Sequence, residues 1–586
     1  MKTRPSPAPT RPRVAHAQKT KSRTPPPDSV PSSIIPPDPL SWDHAGLREI
    51  NFSIADPYNA SEVLFQNLTA ERAHRLALFG PAGQRSYAEL CADAARWGHA
   101  LLSLGLTRGT RVALLLEDTP VYPAAFFGAL RAGLVPVLLN VLMPSEEVRF
   151  CIEDSEATAA ISEASLLARF ADCGSSLQNL IAVNGHRTSE STALPPIIAE
   201  EWLPRFPAVL APADTHKCDM ALMIYSSGST GRPKGIVPLQ HDMAYTQASY
   251  GQHVLRLSPD DRCFSAAKMF FSYGLGNSIT FPFSVGAASL LMPERPTPAA
   301  VLAMIEQYRP TVFFGVPSLY ANLVRDPRIR TADLSTLRFA VSAAEPLPAD
   351  IADAWTSLTG VALIDCLGAT ELLNVYISNT PTERKRGSVG RRVPGYEIAL
   401  KDARGSDVPD GTEGTMWIRG HSSTPYYWKR PKETAQTIRA DGWMCTRDRF
   451  VRDQDGFYFF RGRADDRVKI SGQWVHPVEV QNCLTEHSSV RECLVLATEG
   501  HSGQNVLTAF VVRDDRQQPV TARMLQDYVK QRLLPHKYPR IVRFVPALPK
   551  TGTGKIDRRA LLSERANAGR KSRPRADAAD QATREP

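Results

Sequence analysis

The stretch Tyr225–Gly235 reads YSSGSTGRPKG, and the apolar run Met220–Ile224 (MALMI) leads into it as a strand would. Three glycines let backbone N–H groups turn toward an anion, four Ser/Thr hydroxyls add donors, and Lys234 brings a positive charge. It is nonetheless not the Walker loop. Starting GxxxxGK[ST] at Gly228 puts Pro233 where the second Gly belongs, and Gly235 where a hydroxyl should reach Mg2+.

Outward from this loop, helical periodicity alternates with short apolar runs. A helical pattern over Tyr87–Leu106 precedes the run Val112–Leu116, and a helix at Ala124–Ala132 precedes Val135–Leu139. This alternation predicts an α/β fold with a largely parallel sheet. Beyond Gly462 it resumes on a smaller scale, with helices at Pro477–Glu486 and Ala522–Arg532 and strands at Val490–Ala497 and Leu507–Val512. At 586 residues the chain is too long for one core. The expected division is a disordered Pro-rich basic tail over 1–45, a large domain over 46–464, a small one over 465–565, and a second basic tail over 566–586.

Composition narrows the partners. The net charge is +9, but residues 1–45 carry seven Lys/Arg against three Asp, and 563–586 carry six Lys/Arg against four Asp/Glu. The long middle keeps only about three of those charges, too few for a nucleic-acid footprint. Nine scattered cysteines without a CxxC suit a reducing compartment, so a cytoplasmic location is expected. No apolar run approaches the ~20 residues of a membrane span; the longest candidate, Phe281–Met292 (FPFSVGAASLLM), reads as a buried strand–turn segment. The N-terminus lacks the apolar core of a secretory signal, and its prolines disfavour the amphipathic helix of a transit peptide.

Further segments carry chemistry. Ala343-Ala344-Glu345-Pro346 is a short loop, and Asp365–Glu371 reads DCLGATE. A Glu beside a phosphate is costly unless a cation lies between them; alone, the segment reads equally well as a helix start. Asp448 closes MCTRD, Arg461–Gly472 reads RGRADDRVKISG, and Pro549–Ile556 reads PKTGTGKI, where a mobile Lys555 follows a flexible Gly-Thr-Gly.

Together and in this order the segments resemble the adenylate-forming superfamily of acyl-CoA synthetases, adenylation domains and luciferases. The resemblance implies a large N-terminal domain, built from α/β subdomains and a small β subdomain, with a small mobile α+β C-terminal domain. It implies ATP, Mg2+ and CoA. Ser226, Ser227, Gly228, Ser229, Thr230, Gly231 and Lys234 would hold the β- and γ-phosphates. Ala343, Ala344 and Glu345 would lie against adenine, and Asp365 would meet its amino group. Gly368, Ala369 and Thr370 would border the α-phosphate, with Glu371 on Mg2+. Asp448 would take the ribose hydroxyls and Arg463 ribose or phosphate. Asp465 would be the hinge, Ser471 and Gly472 would border the CoA thiol tunnel, and Lys555 would be catalytic with Glu371 and Lys234.

Two departures stand out. Leu367 replaces a frequent Tyr, and Arg447 stands where the family usually has Gly in TGD. Arg447 leaves three readings open: it points outward, meets a phosphate, or impairs turnover.

For the acyl group, Met269–Asn277 (MFFSYGLGN) and Glu371–Asn379 (ELLNVYISN) resemble benzoate-CoA ligases most. Ser272, Tyr273, Gly274, Gly368, Asn374 and Val375 would form a flat slot for an aromatic carboxylate; read without the resemblance, they could equally be core. Asn374 stands where those ligases tend to carry His, compatible with a hydroxyl- or amino-bearing ring as with benzoate. Phe271 replaces the Asp that amino-acid-activating domains use. The expected activity is an aryl acid–CoA ligase. A carrier-loading adenylation enzyme and a non-catalytic nucleotide-binding homologue remain as alternatives, and monomer and homodimer stay equally open.

Overall fold

The structure, a computed structural model, describes residues 45–185, 194–227, 232–463, 468–470, 473–499, 505–514, 517–550, 556–558 and 560–562. Both expected tails lie almost wholly outside them. Local signals start the helices. Ser86 caps helix Tyr87–Ser103, its hydroxyl accepting from Glu89 N while Glu89 Oε2 accepts from Ser86 N at 2.7 Å. Thr297 caps Pro298–Tyr308, which opens with proline, and Thr521 caps Ala522–Lys530. Helix Val121–Arg131 begins three residues before its expected start.

Among the described residues two large sheets form the body. One runs, in spatial order, Ile197–Ile198, Asn179–Val183, Ala159–Glu163, Arg111–Leu115, Val135–Leu138, Met223–Ser227 and Pro233–Ile236. It is parallel except for its last pair, and Val135–Leu138 is buried throughout, as a two-sided sheet requires. The other has nine strands, with the parallel series Leu76–Phe79, Ala288–Leu290, Arg262–Ser265, Val312–Gly315, Phe339–Ser342 and Ala362–Gly368 at its centre. A four-stranded antiparallel sheet follows, Glu397–Lys401, Glu413–Arg419, Met444–Arg452 and Tyr458–Arg463. The fold is mixed α/β with a large N-terminal and a small C-terminal domain.

Phe281–Met292 departs from expectation in its first half. Phe281–Val285 is a short helix opened by Pro282 and closed by Gly286 at φ 81°, and only Ala288–Leu290 is strand. No described helix is long and apolar enough to cross a membrane.

In the small domain, helix Pro477–Thr485 and helix Ala522–Lys530 pack on strands Val490–Glu499, Asn505–Arg513 and Ile541–Phe544. Polar contacts between described residues dock it on the body. The Arg325 guanidinium donates to the carbonyls of Arg491 and Val490 at 2.9 and 2.8 Å. His476 Nε2 lies 3.3 Å from Glu413 Oε1, and Arg449 pairs with the same carboxylate.

Candidate active site

Some of the expected residues lie at or just beyond the carboxyl ends of parallel strands, which is where open α/β sheets place ligands. Strand Met223–Ser227 ends in Ser226 and Ser227, and Ser226 pairs across the hairpin with Lys234 on strand Pro233–Ile236. Gly228, Ser229, Thr230 and Gly231 lie outside the described residues, as do Asp465, Ser471, Gly472 and Lys555. The hairpin is held from outside. Tyr225 Oη donates to Asp154 Oδ2 at 2.9 Å, and Arg430 donates to Asp154 Oδ1 at 2.9 Å. Trp428 N donates to Gly235 O at 2.8 Å, and Thr424 Oγ1 both accepts from Val237 N and donates to Val237 O.

This strapping brings in a residue with no motif to announce it. Tyr427, in the aromatic run Tyr426-Tyr427-Trp428, places its ring 3.9 Å from Lys234 Nζ and donates its hydroxyl to Glu371 Oε1 at 2.8 Å. Burial, with the Glu371 charge behind it, drives the Tyr427 pKa far up, so the phenol stays a donor. Burial lowers the Lys234 pKa; Glu371 opposes the shift, Arg447 adds to it, and beyond them Glu433 opposes and Arg463 adds. Lys234, Tyr427 and Glu371 thus form one electrostatic unit.

The other residues expected on the nucleotide side lie on further segments of the body. Ala343 is buried, Ala344 is left-handed at φ 77°, and Glu345 Oε2 accepts from Ser318 N at 3.2 Å. Asp365 and Gly368 lie on strand Ala362–Gly368, and burial pushes the Asp365 carboxyl well above its ordinary pKa. Ala369 leads into the turn Thr370–Leu372, and Glu371 O accepts from Thr424 N at 2.7 Å. Asp448 pairs in register with Arg463, their charged groups 3.8 Å apart.

Between them Arg447 is left-handed at φ 59°. A side chain in that conformation costs about 1 kcal/mol relative to glycine. The family's Gly at this position therefore has a backbone reason, and the chain keeps the backbone while replacing the residue.

The acyl-side residues are tied to one another. A π-helical turn, Gly276–Thr280, follows the short helix Ser272–Leu275. Tyr273 Oη approaches Val341 O and Gly315 O at 3.3 and 3.4 Å. Asn374 is 4% exposed; its Oδ1 accepts from Val375 N at 2.9 Å and its Nδ2 donates to Ser272 O at 3.4 Å. One N–H and one acceptor position of its amide are used within the fold. A Cβ on Gly276 would stand 2.0 Å from Asn374 Nδ2, and one on Gly274 would stand 2.0 Å from Lys268 O, so both glycines permit close packing. Ser272 Oγ donates to Thr370 Oγ1 at 3.4 Å, joining the acyl segment to the phosphate segment.

No group of three or more His, Cys, Asp or Glu capable of holding a metal occurs among the described residues. Glu371 fits Mg2+ in another way, because that ion is held by one or two carboxylates with waters and substrate phosphates as the other ligands.

Comparison with known proteins agrees with this architecture. The family model "AMP-binding enzyme" matches residues 65–428, and its companion "AMP-binding enzyme C-terminal domain" matches 479–555. A benzoate–CoA ligase of Thauera aromatica is 36% identical over 518 residues, 87% of this chain and 97% of the relative. A 4-hydroxybenzoate–CoA/benzoate–CoA ligase of Rhodopseudomonas palustris is 36% identical over 511 residues, 86% of this chain and 94% of the relative. The crystal structure of the anthranilate CoA ligase AuaEII in complex with anthranoyl-AMP superimposes with a TM-score of 0.83 at 34% identity, covering 88% of this chain and 99% of that one. From the hairpin at Lys234 to the turn at Glu371, and along both matched stretches, the chain belongs to the AMP-binding, adenylate-forming enzyme family.

Proposed function

We propose that the chain is an aryl acid–CoA ligase that joins an aromatic carboxylate to CoA at the expense of ATP. The observation that carries this reading is the Ser272–Thr370 contact. It sets the acyl segment directly against the turn that holds Glu371, beside the Lys234–Tyr427 pair.

In the first half-reaction a carboxylate oxygen attacks the α-phosphorus of ATP, the bond to the β-phosphate oxygen breaks, and pyrophosphate leaves. Lys234 steadies the charge on the departing phosphates, Thr370 positions the α-phosphate, and Lys555 stabilises the attack. This is catalysis by positioning and electrostatics. Glu371 would hold Mg2+, which would supply additional charge neutralisation when bound. In the second half-reaction the small domain rotates about Asp465, withdrawing Lys555 and bringing Ser471 and Gly472 to the thiol path. The thiol sulfur, its proton released, forms the thioester bond as the bond from acyl carbon to AMP breaks.

The hinge separates a body over 46–464 from a mobile domain over 465–565. Asp448 and Arg463 take the ribose side, Ala343, Ala344, Glu345 and Asp365 the adenine side, and Ser272, Tyr273, Gly274, Gly368, Asn374 and Val375 the ring. The nine scattered thiols suit the cytoplasm.

A screen of CoA-dependent AMP release over substituted benzoates tests the reading. Thioester formation with at least one aromatic acid is expected, together with loss of adenylation but not of ATP affinity in Lys555→Ala. Pyrophosphate exchange without CoA thioester would make it a carrier-loading enzyme; ATP binding without AMP release would make it non-catalytic.

A further inference from the structure

Asp118 is a buried carboxylate that the reaction does not use, and its place between the two large sheets indicates what it serves. It follows strand Arg111–Leu115 of the seven-stranded sheet and is 2% exposed. Burying a carboxylate is costly unless it is paired and hydrogen-bonded. Its partners come from the other sheet. Met269 N donates to Asp118 Oδ1 at 3.2 Å, and the Lys268 ammonium, one residue earlier, favours the charged form. Both residues lie where the chain leaves strand Arg262–Ser265 and opens the acyl segment Met269–Asn277.

Lys268 is itself fixed. Its Nζ donates to the carbonyls of Pro293 and Glu294, both at 2.9 Å, and to that of Met292, all just beyond the neighbouring strand Ala288–Leu290. Three acceptors use all three ammonium hydrogens. Main chain then carries this anchor into the acyl wall. Lys268 O accepts from Phe271 N at 3.0 Å, and helix Ser272–Leu275 packs so closely that a Cβ on Gly274 would stand 2.0 Å from the same oxygen. Ser272 of that helix reaches Thr370, and Tyr273 reaches the carbonyls of Val341 and Gly315. Packing this close leaves little room to absorb a shift at 268–269 before it reaches Ser272.

Among the described residues, the charged and titratable groups around Asp118 are Lys268 on the acyl loop, Glu117 beside it in the chain, and Tyr122 on helix Val121–Arg131. Behind Glu117, Glu163 of the adjoining strand Ala159–Glu163 accepts from Glu117 N at 3.1 Å and from Asn184 Nδ2 at 2.9 Å. Burial pushes the Asp118 carboxyl up to about 6, with Lys268 and the Met269 N–H opposing. Burial raises the Glu117 and Glu163 carboxyls as well, so a pH effect is assigned only by an Asp118 variant.

We propose that Asp118 is a positioning residue of this site: from the opposite sheet it holds the start of the acyl segment through the Met269 N–H, beside Lys268, and so sets where the aromatic acid sits. This rests on the aryl-acid reading above and extends it to a residue outside the slot.

The test uses the full chain with Asp118→Asn and Asp118→Ala. The first still offers Met269 N an acceptor but no charge toward Lys268; the second offers neither. In pyrophosphate exchange at mildly alkaline pH, the KM for the acid should rise about tenfold in Asp118→Ala and less in Asp118→Asn, with kcat and the KM for ATP within about twofold. In the parent the KM for the acid should also rise as pH falls through about 6, where the carboxylate takes up a proton and ceases to oppose Lys268. Aromatic carboxylates stay ionised there, and Asp118→Asn should lack this limb. Backbone amide exchange across residues 266–280, which needs no substrate, should quicken in Asp118→Ala and be largely restored in Asp118→Asn. Equal rises in the two KM values in Asp118→Ala would overturn the proposal, as would unaltered exchange there or the same acid limb in parent and Asp118→Asn. If Asp118→Ala does not fold, Asp118→Asn and the pH series decide. Failure of the parent chain to activate any aromatic acid would instead remove the functional reading, and the exchange comparison would still decide whether Asp118 holds the segment.

Discussion

The wall that carries Lys234, Tyr427 and Glu371 and the wall that carries Ser272, Gly276 and Asn374 meet at Thr370, yet they use their polar atoms in opposite ways. On the first, charged groups are half-buried and balanced against one another, and the phenol of Tyr427 links carboxylate to ammonium. On the second, some polar atoms bond within the fold: the Asn374 amide accepts from Val375 N and donates to Ser272 O, and Tyr273 Oη reaches strand carbonyls. The first wall is arranged to recognise charge. On the proposed function the second offers the acyl group mainly a shape.

The largest expected effect is on the charged wall. Glu371→Gln should slow adenylation by about 10²–10³-fold and blunt its dependence on Mg2+, with little change in the KM for the acid; pyrophosphate exchange across a magnesium series measures both. On the shaped wall, Gly276→Ala drives a methyl to within 2.0 Å of Asn374 Nδ2. It should cost about 1–3 kcal/mol of stability and raise the KM for the acid, leaving that for ATP in place. If both variants moved the same Michaelis constant, the distinction between the walls would fail. Tyr427→Phe keeps the ring beneath Lys234 but removes the donor to Glu371, so adenylation should fall about tenfold in single-turnover assays.

A pH series sharpens the contrast. Lys234 is charged below its pKa, and burial sets that pKa beneath the ordinary lysine value. The KM for ATP should therefore rise with pH before free lysines titrate. Because Glu371 supports the charged form, Glu371→Gln should move this limb further down, while the KM for the acid shows no such limb.

The smallest effect lies away from both walls. The His476 hydrogen bond and, behind the opposing cost of burial, the Arg449 guanidinium hold Glu413 at a pKa of about 2. A carboxyl whose folded pKa is depressed stabilises fully above its unfolded value and loses that contribution as pH falls toward the folded one. Glu413→Gln should thus lower the melting temperature slightly at neutral pH and match the parent near pH 2.

The charged wall was legible in the sequence only where its residues sit in contiguous motifs. Lys234 and Glu371 stand in short runs whose spacing is informative, and the flanking strands follow the apolar pattern. Tyr427 was not legible, because it reaches Glu371 from 56 residues away and sits among aromatics that read as core. Arg447 was visible as a departure, but the left-handed backbone that explains the family's Gly is a property of the folded strand. For Asn374 the sequence showed a group able to donate and accept, and only packing revealed that one donor and one acceptor position go to Ser272 and Val375. The helical start of Phe281–Met292 was missed because a buried apolar run has no period to separate helix from strand.

The Arg325 dock has a consequence for recombination between relatives. Its guanidinium grips main-chain oxygens at 490 and 491, which every amino acid provides, so the side chains there can drift without loosening the joint. Glu413 and His476 add a side-chain pair across the dock. A small domain transplanted from another family member should seat better on this body when it brings a histidine at the position of His476, which makes the joint a place to build hybrid enzymes.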